Sequence, residues 1–168
     1  MPCSFAPIID GNTRILVIGT MPGAVSLERQ EYYAHERNLF WKVVLETFCG
    51  GRPFASYEEK KACLAGNHIG LWDSVQSCHR VGSLDSAIKN AVPNDFAALL
   101  KQYPRTQRLL FNGQKAFGLF ERFYPDILEY VDYEVLPSTS PANAAVPYEK
   151  KLELWREALR GRAVSGRC

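Results

Sequence analysis

The sequence predicts an α/β fold, a three-layer α/β/α sandwich with a four-stranded parallel sheet, and three observations carry that expectation. Short apolar runs of strand length alternate along the chain with longer segments whose apolar residues recur at helical spacing. After their leading arginines, runs such as RILVI and RLLF are apolar throughout, as strands buried on both faces are. Helices lie between the strands, which implies right-handed parallel crossovers and a sheet covered on both sides.

Ile15 to Ile18 is the first strand, and it runs directly into the turn GTMPG. From Asn38 the positions Phe40, Trp41, Val44, Leu45 and Phe48 trace a helical stripe that stops at Gly50-Gly51, with Asn38 expected as its cap. Ser56 and Glu59 have capping-box spacing and open a second helix through Leu64, closed at Gly66. Ile69 to Trp72 is the second strand. Asn94 is expected to start a helix with Phe96, Leu99, Leu100 and Tyr103 on its apolar face, ended by Pro104. Leu109 to Phe111 is the third strand, turning at Asn112-Gly113 into a helix that carries Phe117, Phe120 and Phe123. Tyr133 to Leu136 is the fourth strand; the loop PSTSPANAAVP follows, and then a last helix with Leu152, Trp155 and Leu159 on one face. The tail GRAVSGRC, residues 161–168, is expected to fray.

A chain of 168 residues that is 46% hydrophobic and 23% charged is long enough for one well-packed core and short for two, so a single domain is expected. The apolar runs are far short of the roughly 20 residues a bilayer crossing needs, and the N-terminus lacks a leader pattern. A soluble, cytoplasmic monomer is the expectation. The five cysteines, Cys3, Cys49, Cys63, Cys78 and Cys168, are odd in number, scattered and free of Cys-x-x-Cys spacing, which reads as reduced thiols without a zinc or iron–sulfur site. A net charge of +2 neither requires nor excludes nucleic acid.

In parallel sheets ligands bind beyond the carboxyl ends of the strands. GTMPG, Asp73-Ser74 and PSTSPAN all fall at such ends and are expected to converge on one cleft. Each has a plain alternative. GTMPG is either a tight connection or bare backbone that a ligand can approach; PSTSPAN either binds phosphate through hydroxyls or satisfies its own loop. Asn38 caps a helix, Asp73 makes a turn, and Tyr32, Tyr33 and His35 cover the helix as an aromatic cluster, or they serve a site. No P-loop or dinucleotide fingerprint supports a free-nucleotide binder.

Taken jointly, GTMPGAVSLERQEYYAHERNLFWKVV, LLFNGQKAF and LPSTSPA, in that order from Arg14 to Trp155, resemble the uracil-DNA glycosylase superfamily, most of all its hypoxanthine-DNA (deoxyinosine) glycosylases. The resemblance implies a four-stranded parallel sheet between helices, in agreement with the strand count. It also implies hydrolysis of the N-glycosidic bond of a deaminated base flipped out of DNA, without metal or organic cofactor. Related mismatch-specific enzymes have Gly-x-Asn-Pro-Gly where this chain has Met21, and a thioether cannot hold a water as an amide can. Asn38, in NLFW, matches the asparagine of the family's Asn-x-Phe-Trp segment and is the implied catalytic residue.

By the same resemblance Tyr33 stacks on the base and Asp73 reads its edge, with Gly19, Thr20 and Met21 also among the base-binding residues. A carboxylate there accepts from an N–H of hypoxanthine, whereas uracil's carbonyls would face its lone pairs. His35 stabilises the leaving base or makes a structural hydrogen bond. Ser138 and Ser140 bind flanking phosphates, and Pro141, Ala142 and Asn143 enter the duplex where the base leaves. Two rivals stay open: a uracil or thymine mismatch glycosylase, and a non-catalytic module that binds lesions in DNA, with Met21 marking a lost activity.

Overall fold

The computed structural model describes residues 3–161. The central sheet holds four parallel strands: β1 (Ile15–Gly19), β2 (Ile69–Asp73), β5 (Arg108–Asn112) and β6 (Asp132–Leu136), in the order β2-β1-β5-β6. Every residue of β1 is buried because strands flank it on both edges and helices cover both faces. The period-2 alternation of a strand then divides its side chains between two cores. Ile15 and Val17 pack with Phe40, Val43, Val44, Leu64, Trp155 and Leu159, from α2 (Phe40–Phe48), α3 (Tyr57–Gly66) and α6 (Tyr148–Leu159). Leu16 and Ile18 pack with Phe96, Leu99 and Phe120, from α4 (Phe96–Gln102) and α5 (Gln114–Phe123). These two cores are the outer seams of the expected α/β/α sandwich.

Local signals decide several boundaries. Ser56 Oγ accepts from Glu59 N–H at 3.1 Å and Glu59 Oε2 accepts from Ala55 N–H at 3.2 Å, so the expected start of α3 is present. Two expected starts shift. Asp95, not Asn94, caps α4 through Ala98 N–H at 3.0 Å, while buried Asn94 donates to Asp73 O at 2.7 Å and to Ser4 Oγ at 3.1 Å. A side amide pins two distant segments at once, and that use outweighs capping. Helix α2 begins at Phe40 with Leu39 as its cap residue, placing Asn38 one position earlier, where its Oδ1 accepts from Phe40 N–H at 3.0 Å.

Two pieces lie outside the strand–helix alternation expected from sequence. Helix α1 (Ala24–Arg29) follows GTMPG at once. An antiparallel hairpin of β3 (Val75–His79) and β4 (Lys89–Pro93) leaves the sheet after β2; its register shifts twice, so it offers no clean alternation to the sequence reader. Cys49, Cys63 and Cys78 are free thiols, with Cys49 and Cys63 sulfurs 3.5 Å apart despite their separation in sequence. Among the described residues no helix is long and apolar enough to cross a membrane. Cys168 and residues 162–168 of the tail lie outside the described residues.

Candidate active site

Beyond the carboxyl ends of β1, β2, β5 and β6 opens a cleft of about 800 Å³, its mouth included, lined by all three predicted segments. Gly19, Thr20, Met21, Tyr33, His35, Asn38, Asp73, Ser138, Ser140 and Pro141 all border it, whereas Ala142 and Asn143 do not. Pro141 and Ala142 are exposed at the tip of their loop, and Asn143 is turned into it, donating to Ser138 O at 3.2 Å.

The floor follows from sheet register. Gly19 and Asp73 are partners in the β1–β2 pairing, so the Asp73 side chain comes to lie over the Gly19 backbone. A Cβ on Gly19 would stand 2.6 Å from Asp73 Oδ1 and 2.9 Å from the Tyr33 hydroxyl. The glycine is therefore required by close approach and not by positive φ, which neither Gly19 nor Gly23 adopts. Gly19→Ala is expected to lower stability by about 1–3 kcal/mol through overpacking. Thermal denaturation measures this, and an unchanged midpoint would show that Asp73 and Tyr33 can move aside. Met21 is buried with Val75, Cys78 and Leu119, so the residue at the tip of GTMPG is an apolar plug under the cleft.

Asp73 is almost wholly buried and its Oδ2 has no hydrogen-bond partner, nor has the buried Tyr33 hydroxyl. Burial, with the Asp85 carboxylate adding to it and Arg80 opposing it, pushes the Asp73 carboxyl up from 3.8 to about 7. Burial and the nearby Asp73 likewise push the Tyr33 phenol up. Tyr33 holds a left-handed backbone, φ 54°, which costs a non-glycine residue on the order of 1 kcal/mol or more. Both of its neighbours are fixed: Trp41 Nε1 donates to Tyr32 O at 2.8 Å, and Ala34 N–H donates to Ser26 Oγ at 3.1 Å. Phe40 covers one side of the Tyr33 ring, with centroids 4.4 Å apart.

One hydrogen-bonded chain ties the Asn38 segment to the PSTSPAN loop and to β5. Leu39 N–H donates to Thr139 O at 3.0 Å; Thr139 N–H donates to Asn112 Oδ1, and Asn112 Nδ2 to Thr139 Oγ1, both at 2.9 Å. From α6, buried Lys151 donates to Asn143 O at 2.6 Å and Trp155 Nε1 to Pro137 O at 2.9 Å. Ser138 Oγ accepts from Ser140 N–H and Ser140 Oγ from Ala142 N–H, each at 3.2 Å. Each hydroxyl is thus engaged as an acceptor and keeps its proton for donation. His35 is exposed, and its Nδ1 accepts from Arg37 N–H at 3.1 Å, which leaves Nε2 as its donor.

Sequence reasoning missed the remaining wall. Thr20 Oγ1 donates to Asp85 Oδ1 at 2.6 Å, Ala24 N–H donates to Ser83 Oγ at 2.9 Å, and Arg80 donates to Pro22 O. Asp85 and Ser83 line the cleft from the hairpin, and Asn112 and Thr139 from the far side. Asn112 could have been found as the polar end of RLLFN, and Thr139 as the middle of Ser-Thr-Ser. The hairpin residues carried no signal.

A parallel α/β/α sandwich with a cleft at its strand ends is an architecture that many enzyme classes use to hold a ligand. The chain belongs to the uracil DNA glycosylase superfamily, whose family model matches residues 6–160. It is 35% identical over 158 residues to the hypoxanthine DNA glycosylase of Methanosarcina acetivorans, covering 93% of this chain and 96% of the relative. The hypoxanthine DNA glycosylase of Methanosarcina barkeri matches with the same identity and coverage. The solution NMR structure of a candidate uracil DNA glycosylase from Methanosarcina acetivorans superposes with a TM-score of 0.80 at 33% identity, covering 95% of this chain and 96% of the other.

Proposed function

We propose that this chain is a monofunctional DNA glycosylase that removes hypoxanthine from deoxyinosine in base excision repair. The observation that carries the reading is the meeting of Asn38, Tyr33 and Asp73 in one cleft, in a chain 35% identical over nearly its full length to hypoxanthine DNA glycosylases. In this reading the flipped base lies over Gly19 beside Tyr33. The Asp73 carboxylate accepts from the base N–H, and the Tyr33 hydroxyl, a buried donor without a partner, faces the neighbouring carbonyl. Uracil presents the same carbonyl and N–H side by side, so, against the expectation drawn from Asp73 in the sequence, the edge alone does not choose between them. The relatives favour the purine.

Asn38 replaces the polar group that Met21 cannot supply. Its Oδ1 spends one lone pair on Phe40 N–H, which fixes the side chain, and the second lone pair is available to a water. As the C1′–N9 bond breaks, the sugar takes on oxocarbenium character, supported by the DNA phosphates. The oriented water oxygen bonds to C1′, and a proton from that water ends on the departing base. Tyr33 and the Nε2 of His35 stabilise the base anion before it is protonated. Ser138 and Ser140 donate to the phosphates that flank the extruded nucleotide, and Pro141 and Ala142 enter the duplex.

The test is single-turnover incubation with duplexes carrying hypoxanthine, uracil or mismatched thymine, followed by alkaline cleavage at abasic sites. Strand breaks are expected with hypoxanthine at a rate well above the other two. Faster release of uracil or thymine would overturn the substrate assignment; binding without any break would overturn the enzymatic one.

A further inference from the structure

The hairpin β3–β4 stands at the rim of the cleft, and its surface is unlike the rest of the molecule. Among the described residues, five large apolar side chains are exposed, and three of them, Val81, Leu84 and Val92, belong to this one hairpin. Val81 is 92% exposed and Leu84 59%. They add nothing to a core, and apolar side chains gathered at the rim of a cleft mark a surface of contact.

Their neighbours fix the tip in place. The Arg80 side chain is buried, donates to Pro22 O and lies 3.8 Å from Asp85. Asp85 is held by Thr20, and Ser83 by the Ala24 amide. Arg80, Ser83 and Asp85 therefore turn inward to the cleft wall while Val81 and Leu84, between and beside them, stay in solvent. A nucleotide that enters the cleft remains joined to its strand, and that strand must cross the rim.

Resting on the glycosylase reading, we propose that the hairpin tip is an apolar wedge for duplex DNA. Val81 and Leu84 pack against the base step opened beside the extruded nucleotide, from the rim opposite Pro141 and Ala142. Apolar side chains pressed into a base step are a general means of holding DNA unstacked and kinked.

The experiment uses the full chain and a duplex with a tetrahydrofuran abasic analogue flanked by 2-aminopurine, whose fluorescence rises on unstacking. Wild-type protein is expected to raise the signal, and the double variant Val81→Ser, Leu84→Ser to lose most of that rise. The variant's affinity for the single-stranded oligonucleotide and its melting temperature should stay unchanged, because both side chains are exposed. Its single-turnover excision from duplex should fall by about tenfold or more, with Val81→Leu retaining the wild-type rate. A full fluorescence response and rate in the double variant would overturn the wedge. So would an equal loss of single-strand binding, which would assign the hairpin to the cleft wall alone. A wild-type protein that unstacks the duplex yet releases no base would leave the wedge standing and sink the glycosylase reading instead.

Discussion

Asn38→Ala is expected to lower the single-turnover rate of hypoxanthine excision by roughly two to three orders of magnitude, the loss seen when one preorganised polar group is removed from a reacting centre. The size follows from what is left. Met21 occupies the tip of GTMPG as buried apolar packing, and the other side-chain amide of the cleft, Asn112, is engaged with Thr139 through both its oxygen and its nitrogen, so neither replaces Asn38 as a holder of water. The same substitution removes the acceptor for Phe40 N–H at the start of α2, which should cost about 1 kcal/mol of stability. That modest loss leaves the protein folded, and affinity for a duplex with an abasic analogue should change little, since Ser138, Ser140 and the hairpin are untouched. Asn38→Asp retains an oxygen for Phe40 N–H and should recover the stability without recovering the full rate. Unchanged cleavage by the alanine variant would remove Asn38 from the mechanism.

The second large effect belongs to Asp73, and it appears in stability and activity with opposite signs. Its carboxyl is held up near 7 in the folded protein against 3.8 in a free carboxyl, because burial and Asp85 disfavour the charge more than Arg80 favours it. The folded state therefore keeps a proton that the unfolded chain releases between those two values. Stability from this group is fully present below 3.8 and is lost as pH rises toward and through about 7, by up to roughly 4 kcal/mol. Asp73→Asn cannot ionise, so its stability should exceed wild type at pH 8 and approach it at pH 4. Chemical denaturation at the two pH values measures the difference, and parallel curves would show that Asp73 titrates normally.

Excision should respond in the other direction. The carboxylate is the form that accepts from the base N–H, so the wild-type rate should climb as pH passes from 6 to 8. Asp73→Asn replaces a charge-assisted hydrogen bond with a neutral one, which should cost about tenfold in rate and flatten the climb. A variant that keeps both the rate and the climb would exclude Asp73 from base recognition. Gain of stability with loss of activity is the pattern expected where a strained, desolvated group is kept for its chemistry.

The fold was legible because it is written in local period and in punctuation. RILVI is long enough for a strand and apolar on both faces, so it could only be central; the stripe after Asn38 and the Ser56–Glu59 spacing mark helices within a few residues of their ends. The cleft's position followed from the same reading, since carboxyl ends of parallel strands are where backbone groups and loops gather. Asn38 and Asp73 stood out as polar residues at element ends, and the resemblance of the motifs supplied their chemistry.

Other features exist only where distant segments meet. That Gly19 must lack a side chain depends on its register with Asp73, fifty-four positions away, and on the ring of Tyr33. The Asp73 proton near neutral pH is a property of burial, which a strand end does not announce. Asn94 reads as a cap and serves as a clamp because its amide reaches Asp73 and Ser4 at once. The hairpin escaped sequence reading because its bulged register breaks the alternation that identifies strands, and its closure of the cleft rests on single contacts to Thr20, Pro22 and Ala24. The layers, the parallel character of the sheet and the end where chemistry gathers were legible along the chain, because period, caps and turns are near-neighbour effects. Which side chains share that space, and how burial alters their protons, was decided only by tertiary packing, because desolvation and close approach depend on every segment that folds over the site.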